Sequence, residues 1–494
     1  MAHSLKAPFF SLPSELINNI LTFLPLSDLL SVGLVNRALQ EHSLQDTLYQ
    51  PLVQANVPGS TLRKPEHSTW RELFKTHHPY WFIAKNKIWF ADNAHTGKLV
   101  IARYNHRLNA IEAYAIVAER RHPAIQVWDA HPEAIIHSFH PRIQLDLNAA
   151  TLHLDASTYA EVAGEQKDRL QGEMQMAGFT RVRSAAGLYT RLILTRPWPS
   201  ERTYENTPVW PPLTIPSPVR TRTDSATQFR GASNRPAMLE ELSTATFRIR
   251  NWMQFSPRIH TQNIHFGEQT TTWATIPEEC YTPTRRKPWQ GIWCGDYAGH
   301  GCEFLAIMQP DNPKPLPERA ERAMRVCDRL GSDDSSDSWT TAPTESPNLD
   351  EETQARSSTA SSDSHTNRQG SAPTSDSSSS RQLPSSEEDD SIYSGRIEAV
   401  KLTGDPNIPR GEYTFIAPDI GPKGLIRVAR DNLFQGARIV RSLGHIAGAA
   451  FTDDDYIPSQ LILISHDRLA QYWEAFGHVS FYQRVNIEEF TRIP

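Results

Sequence analysis

The stretch from residue 12 to residue 40, LPSELINNILTFLPLSDLLSVGLVNRALQ, constrains the fold more than any other part of the chain. Pro13 opens one helical run and Pro25 ends it, because proline fits the first turn of a helix but not its interior. A second run follows, and apolar residues recur at helical spacing through both. Two short helices with this much apolar surface cannot bury it alone, so the sequence predicts a helical hairpin that another surface must cover.

The leucine-proline start, the second leucine-proline stop and the continuation through Val32 and Leu39 together resemble an F-box. The alternative is an ordinary hairpin packed on its own domain. The resemblance implies docking on the Skp adaptor of a cullin-RING ubiquitin ligase, while the rest of the chain selects the substrate. We expect Leu12, Pro13, Leu16, Ile20, Leu21 and Leu24 to form an exposed apolar face. The full set of predicted adaptor-binding residues is Leu12, Pro13, Leu16, Ile17, Ile20, Leu21, Leu24, Leu29, Leu30, Leu34 and Val35.

Length and composition limit the number of domains and the class of protein. A chain of 494 residues has room for two or three domains. A net charge of −6 gives no field suited to a nucleic-acid backbone, and four cysteines do not make a disulfide framework. The N-terminus lacks the pattern of a signal peptide, and no run of eighteen apolar residues exists to span a membrane. We therefore expect a soluble protein of the cytoplasm, the nucleus or both.

After residue 80 the pattern changes from helical to strand-like. Short runs of alternating, β-branched or aromatic residues, such as KLVIARY and HVSFYQRV, are separated by turn residues. The sequence predicts an α+β protein, with a small helical N-terminal F-box followed by a mainly β domain, either a barrel or a sandwich. Strands near Trp89 and Phe481 lie on opposite sides of long inserts, so we expect one β domain whose two halves pair.

Domain boundaries follow from these changes in composition. The F-box occupies 8–55, a helical connector 56–80, and the two parts of the β domain 81–310 and 391–494. A Pro-rich stretch at 199–236 predicts a long surface loop, and a Ser-rich, acidic stretch at 331–390 predicts a disordered insertion. Just before this insertion, residues 317–330 predict a short exposed helix.

Three segments of the β domain extend the resemblance beyond the F-box. They are GIWCGDYAGHGCEFLAI, VKLTGDPNIPRGEYTF and GHIAGAAF. They resemble the substrate-binding domain of the F-box-only protein thirty-one group, and the segment that begins at Trp81 resembles fungal F-box proteins of the same group. The resemblance implies a β-barrel receptor that binds short peptide segments of its targets, often near a chain terminus. Some relatives carry a zinc clip, but no cysteine precedes Cys280 here, so we expect no metal and no cofactor.

Two loops of the β domain supply candidate substrate-binding residues. In TGDPNIPRG, Asp405 and Asn407 lie between glycines at a predicted strand end, where Asp405 either accepts N–H groups of a docked peptide or closes an Asx-type turn on its own backbone. In GDYAGHGCEF, Gly299 and Gly301 predict a hairpin turn around His300, with Tyr297 and Glu303 on the flanking strands. His300 is either a ligand contact or an ordinary surface residue. The candidates are Asp405, Asn407, Tyr297 and His300.

No serine-hydrolase, zinc-protease, phosphate-loop or dinucleotide-binding motif occurs, so the sequence favours a non-catalytic subunit. The expected partners are the Skp adaptor, through it a cullin-RING ligase, and protein substrates, with no nucleic acid and no membrane. Two alternatives remain open at this point. One is a glycan-binding, lectin-like F-box receptor, and the other is an F-box protein with a ligase-free structural role.

Overall fold

The computed structural model describes residues 8–63, 68–91, 97–159, 174–176, 186–194, 246–255, 265–330 and 392–493. The helices are α1 (Ser14–Leu21), α2 (Leu26–Gly33), α3 (Arg37–Ser43), α4 (Asp46–Gln54), α5 (Trp70–His77), α6 (Trp81–Lys85), α7 (Glu318–Leu330) and α8 (Ile487–Thr491).

The first ten strands are β1 (Ile88–Ala91), β2 (Leu99–Asn105), β3 (Ala110–Glu119), β4 (Ile125–Gln126), β5 (Ile135–His137), β6 (Arg142–Asp155), β7 (Met174–Met176), β8 (Ala186–Leu194), β9 (Thr246–Phe255) and β10 (His265–Ala274). The other nine are β11 (Gly291–Asp296), β12 (Cys302–Met308), β13 (Ile397–Lys401), β14 (Tyr413–Ala417), β15 (Leu425–Val428), β16 (Arg438–Gly448), β17 (Thr452–Ser465), β18 (Arg468–Trp473) and β19 (His478–Arg484).

Helices α1 to α6 form a helical head over residues 8–85. Local sequence explains the ends of several helices: Pro13 and Pro25 precede α1 and α2, and the Asn36 side chain accepts the Leu39 N–H at the start of α3. Thr69 and Glu72 close a capping box on α5. Because α6 continues the helical head to Lys85, the first strand starts at Ile88 and not at residue 81.

The strands form two sheets. Eight of them make an antiparallel sheet in the order β6-β3-β2-β1-β10-β9-β8-β7. The inner side of the helical head packs on this sheet, since Ile17, Leu21 and Leu29 share one apolar core with Trp89 and Phe247. The sheet therefore serves as the platform for the helical head.

The second sheet closes into an eight-stranded barrel in the order β11-β12-β13-β14-β16-β17-β18-β19. Pairing of β19 with β11, at Trp293↔Arg484 and Gly295↔Tyr482, completes the circle. Closure removes the unpaired strand edges that an open sheet would leave. The predicted fold class, a helical F-box region followed by a mainly β region, is confirmed.

The predicted pairing between the two halves of the β domain is confirmed, because β11 and β12 of the first half pair with β19 and β13 of the second half. The strands that hold Trp89 and Phe481, however, lie in different sheets. Strand β1, which holds Trp89, pairs with β2 and β10, whereas β19, which holds Phe481, belongs to the barrel. The platform sheet and the barrel meet through side chains, because Ile88 and Phe90 of β1 share an apolar core with Phe304 and Phe481 of the barrel. Alternation in a sequence predicts which face is buried but not which strand lies alongside.

Helix α7 was predicted to be exposed. It is instead amphipathic, and one of its sides is covered. Ala320 is completely buried against the outside of the barrel, where it packs with Ile416, Leu443 and Tyr456. The predicted loop at 199–236 and the predicted insertion at 331–390 lie outside the described residues. In the part of the chain that the structure describes, no helix is long and apolar enough to cross a membrane.

Candidate functional site

The first candidate surface is an apolar face of the helical head. Leu16 and Ile20 lie four residues apart on α1, on the side turned away from the platform sheet, and are 49% and 44% exposed. Leu34 is 87% exposed just after α2. The exposed large apolar residues of this face are Leu12, Leu16, Ile20, Phe23, Leu30, Leu34 and Val35. Side chains of this kind are rarely grouped on a monomer surface unless a partner covers them.

Three of the predicted adaptor residues do not lie on this face. Ile17, Leu21 and Leu29 are almost completely buried in the core of the helical head, so the placement of Leu21 on the exposed apolar face is wrong. Leu24 is half-buried against the same core, while Pro13 is exposed at the start of α1. The reason is geometric: residues 17 and 21 form one helical stripe, residues 16 and 20 form the next, and only one of the two can face the sheet.

The second candidate is one end of the barrel. The apolar half of the interior is filled by large side chains such as Trp293, Leu305 and Phe415. The opposite half contains buried polar and charged side chains, under the turn at 297–301 and the loop at 402–412. We call this half the polar end.

Lys401 is the centre of the polar end. Its ammonium group, 1% exposed, lies 2.9 Å from Glu303 Oε2, pairs also with Asp405, and sits 4.2 Å from the centre of the Tyr297 ring. The Tyr297 hydroxyl shares a hydrogen bond of 2.7 Å with Thr414 Oγ1. Opposite charges and a π face thus compensate a lysine that water cannot reach.

Asp405 has both carboxylate oxygens occupied within the chain. Oδ1 accepts the N–H groups of Asn407 at 2.7 Å and Ile408 at 2.6 Å, and Oδ2 faces Lys401. Burial opposes ionisation of this carboxyl, but the Lys401 charge and the backbone hydrogen bonds outweigh it and lower its pKa. The geometry is that of the Asx-type turn. Both oxygens already have donors within the chain, and a contact between Asp405 and a docked peptide stays a prediction.

The other three substrate candidates occupy different levels of the polar end. Tyr297 lies inside, beside Lys401, and Asn407 is half-buried, with its side-chain amide donating to the Ala447 carbonyl at 2.8 Å. His300 is exposed at the tip of the β11–β12 hairpin that the two glycines predicted. The structure brings Tyr297 and Asp405 together around Lys401 and leaves His300 outside.

Sequence reasoning missed Glu303 and Lys401 as members of this group. Burial is the main influence on Glu303 and, with the nearby Asp405, it raises the pKa of Glu303 to about 7 against the opposing charge of Lys401. Glu303 Oε1 is buried without a hydrogen-bond donor. A signal did exist, because a charged residue at each of these positions interrupts the alternating apolar residues of β12 and β13.

A chain of neutral groups crosses the interior beside the ion cluster. The Tyr482 hydroxyl donates to Gln471 Oε1 at 2.9 Å, and Gln471 Nε2 donates to Ser459 Oγ at 3.1 Å. Ser459 shares a 2.7 Å hydrogen bond with Ser442. Gly444 also has a specific role nearby, because a Cβ atom there would lie 2.2 Å from the Trp473 ring. The neutral side chains of the polar end are thus hydrogen-bonded to one another.

Comparison with known proteins gives two family models that match separate parts of the chain. Residues 9–55 match the family model described as F-box-like, and residues 273–489 match the model described as the Cyclin D1 binding domain. The first match covers α1 to α4, and the second runs from the end of β10 through the whole barrel. No curated protein matches the chain. The F-box-like segment supports assignment of the chain as an F-box protein, and the barrel lies within the second match.

Proposed function

We propose that this protein is a substrate-recognition subunit of a Skp–cullin–F-box ubiquitin ligase. The observation that carries the proposal is the exposed apolar face of the helical head, within the residues that match the F-box-like model. Such a face gains free energy when an adaptor covers it, at about 25 cal/mol for each Å² of apolar surface removed from water. The platform sheet fixes the helical head on the rest of the chain, so a substrate bound elsewhere is held near the ligase.

The barrel supplies the substrate side of this proposal. Its residues match a family described by binding to cyclin D1, which supports a protein substrate of the cyclin type. The resemblance to the F-box-only protein thirty-one group implies that short peptide segments of the target are bound. We propose that substrate contacts the rim of the polar end, where His300 is exposed and Asn407 half-buried. Asp405 and Tyr297 then hold the shape of that rim around Lys401.

In this role the protein needs no catalytic group of its own, because the partners of the adaptor transfer ubiquitin. Ubiquitination directs the bound target to the proteasome. The place of action that this function supports is the cytoplasm, the nucleus or both.

The test is capture of ligase components by the full-length chain. A tagged chain is expected to co-purify the Skp adaptor and a cullin, and a Leu34→Asp variant is expected to lose both, since it places a charge in the centre of an apolar contact. Leu108→Asp is the matched control, because Leu108 is also an exposed leucine, at 61%, but lies in the β2–β3 turn.

Each outcome has a distinct meaning. Equal capture by the Leu34→Asp variant would place the adaptor contact elsewhere and overturn the proposal. Capture of the adaptor without a cullin would indicate the ligase-free structural role. Binding of the chain to a glycan array, with no accumulation of protein targets after its deletion, would indicate the lectin-like receptor.

A further inference from the structure

A short two-stranded ribbon projects from the barrel outside the region that matches the Cyclin D1 binding model. Strand β5 pairs in parallel with the first residues of β19, at Ile135↔His478, and β4 pairs with β5. Strand β4 is the last strand of this sheet, and among the described residues no strand pairs with its outer edge. An unpaired edge is the standard place for an extended chain to add a strand.

The backbone of Ile125 faces that open edge. Ser138 N–H donates to the Ala124 carbonyl, so residues 124 and 138 form a hydrogen-bonded pair. Residues opposite each other in an antiparallel ladder alternate between hydrogen-bonded and non-hydrogen-bonded pairs. Ile125, opposite His137, is therefore a non-hydrogen-bonded position, and its N–H and C=O point away from β5.

The outward face of the ribbon is apolar. Ile125 is 81% exposed, Val127 69% and Ile135 56%, whereas Ile136 on the opposite face is completely buried. Phe476, 59% exposed, lies beside them, because the Ile135 N–H donates to the carbonyl of the next residue, Gly477. An added strand would thus find apolar contacts together with backbone donors and acceptors.

Positive charge lies immediately before the ribbon. Arg120, Arg121, His122 and Arg142 line a depression of about 520 Å³, with Glu119 as its single acidic lining residue. Arg120 is anchored to Asp296 of the barrel, and its charge reaches His478 at the base of the ribbon, where burial, then His137 and Arg120, lower the histidine pKa. Arg121 and Arg142 are exposed.

We propose that the β4 edge and the arginine cluster form a docking surface for an extended acidic peptide segment of a protein substrate, an inference that rests on the proposed receptor function. The apolar residues of the segment add a strand along Ile125, and its carboxylates or phosphates contact Arg121 and Arg142. Charge complementarity selects an acidic occupant, because Arg121 and Arg142 are exposed at the depression, where Glu119 is the single acidic lining residue and Arg120 is already paired with Asp296. Arg121 and Ile125 are four residues apart, which places the two contacts about 13 Å from each other along an extended chain.

Two labelled eight-residue probes test the inference with the full-length chain. One is Val-Thr-Val-Thr-Glu-Glu-Glu-Glu, and the other has the two halves exchanged. An added strand can run antiparallel or parallel to β4, and in each direction one of the two probes places its glutamates beside the arginines. One of the two is expected to bind in fluorescence anisotropy, with an affinity that falls as salt rises. The same probe with lysines in place of glutamates is expected to bind at least tenfold more weakly. Failure of both acidic probes, or equal binding of the lysine probe, would overturn the proposal.

Variants separate the two parts of the surface. Arg121→Glu with Arg142→Glu is expected to weaken probe binding at least tenfold, whereas Arg107→Glu with Lys85→Glu, which makes the same charge change at other exposed positions, leaves it unchanged. Ile125→Pro removes the outward N–H and is expected to abolish binding, while Ile125→Ala retains the N–H and most of the affinity. Thermal unfolding of each variant shows whether its fold is intact. If Ile125→Pro does not fold, the double variant Arg121→Glu, Arg142→Glu tests the proposal.

The remaining outcomes also have defined meanings. If the chain forms a dimer in sedimentation that Ile125→Pro dissociates, the edge pairs with a second copy and the peptide proposal is wrong. All ribbon variants are expected to capture the Skp adaptor normally. A chain that binds the probe but captures no adaptor would refute the ligase function alone, and the reverse result would refute the docking surface alone.

Discussion

The helical head and the polar end of the barrel depart from the usual distribution of side chains in opposite directions. The helical head leaves Leu16, Ile20 and Leu34 in water, whereas the barrel buries Lys401 with two carboxylates. In most proteins large apolar groups are covered and charged groups are solvated. The comparison teaches that the partners of an unusually placed side chain indicate its role. The apolar face has no partner among the residues that the structure describes, while the buried charges are paired with one another.

The largest expected effect distinguishes the two leucine-isoleucine stripes of α1. Ile17→Ala with Leu21→Ala removes two buried side chains and should destabilise the fold by roughly 4 kcal/mol or more. Leu16→Ala with Ile20→Ala should leave the melting temperature nearly unchanged but weaken adaptor binding at least 100-fold. Calorimetry of unfolding and titration with the purified adaptor measure the two effects. If the two pairs behave alike, the helical head does not separate core from interface.

Replacement of the central lysine tests the barrel side of the comparison. Lys401→Met leaves Glu303 and Asp405 without their buried cation and should cost about 3–5 kcal/mol of the free energy of unfolding. Urea denaturation measures this loss. Glu303→Met added to the same variant should recover part of it, because one unpaired carboxylate is then gone. A harmless Lys401→Met would mean that the charges do not hold the polar end together.

Glu303 should give the barrel an unusual dependence on pH. Its pKa is about 7 in the folded state against an ordinary value of 4.5, so the folded state holds the extra proton between these values. Its contribution to stability is present below pH 4.5 and is lost as pH rises through 7, by about 2 kcal/mol between pH 5 and pH 7. Glu303→Gln should remove this slope. Urea unfolding at the two pH values checks the prediction, and parallel slopes for both chains would contradict it.

His77 should act in the opposite sense at the base of the helical head. Burial lowers the pKa of His77 to about 4, while its ring nitrogens lie 3.0 Å from the Tyr159 hydroxyl and 2.9 Å from Asn109 Oδ1. The unfolded chain therefore takes up the proton first, and stability falls as pH decreases from 6.5 to 4. The loss between pH 7 and pH 5 should be about 2 kcal/mol and should be absent in His77→Gln. Unfolding curves at both pH values measure it, and an unchanged slope in the variant would reject it.

The smallest effect concerns the loop that covers the polar end. Asn407→Ala removes the hydrogen bond to the Ala447 carbonyl and should cost about 1 kcal/mol of stability. Asn148→Ala, at an exposed position on the platform sheet, is the control and should cost less than half of that. If the proposed rim contact is correct, Asn407→Ala should weaken substrate binding by more than its effect on stability explains. Substrate pull-down by both variants at equal folded concentration distinguishes the two effects.

The sequence predicted local features well and distant partnerships poorly. The two prolines marked the ends of the first helices, and Gly299 and Gly301 predicted the hairpin between β11 and β12, because helix ends and tight turns are decided by neighbouring residues. The pairing of β19 with β11, and the meeting of Glu303 with Lys401, depend on strands far apart in the chain. For the candidate site, Tyr297 and Asp405 lie together around Lys401, and their contact with substrate stays a prediction. A single sequence does not show that the oxygens of Asp405 already have donors, because those donors depend on the folded loop.

Closure of the barrel has a consequence for the integrity of the polypeptide. The hairpin of β11 and β12 comes from one side of the segment 331–391, and the other six barrel strands come from its far side. Both outer edges of that hairpin are held, by β19 and by β13. A protease cut within this segment would therefore yield two fragments that remain held together by two ladders of backbone hydrogen bonds. The barrel is thus a natural split-protein pair, whose halves can be made separately and tested for reassembly.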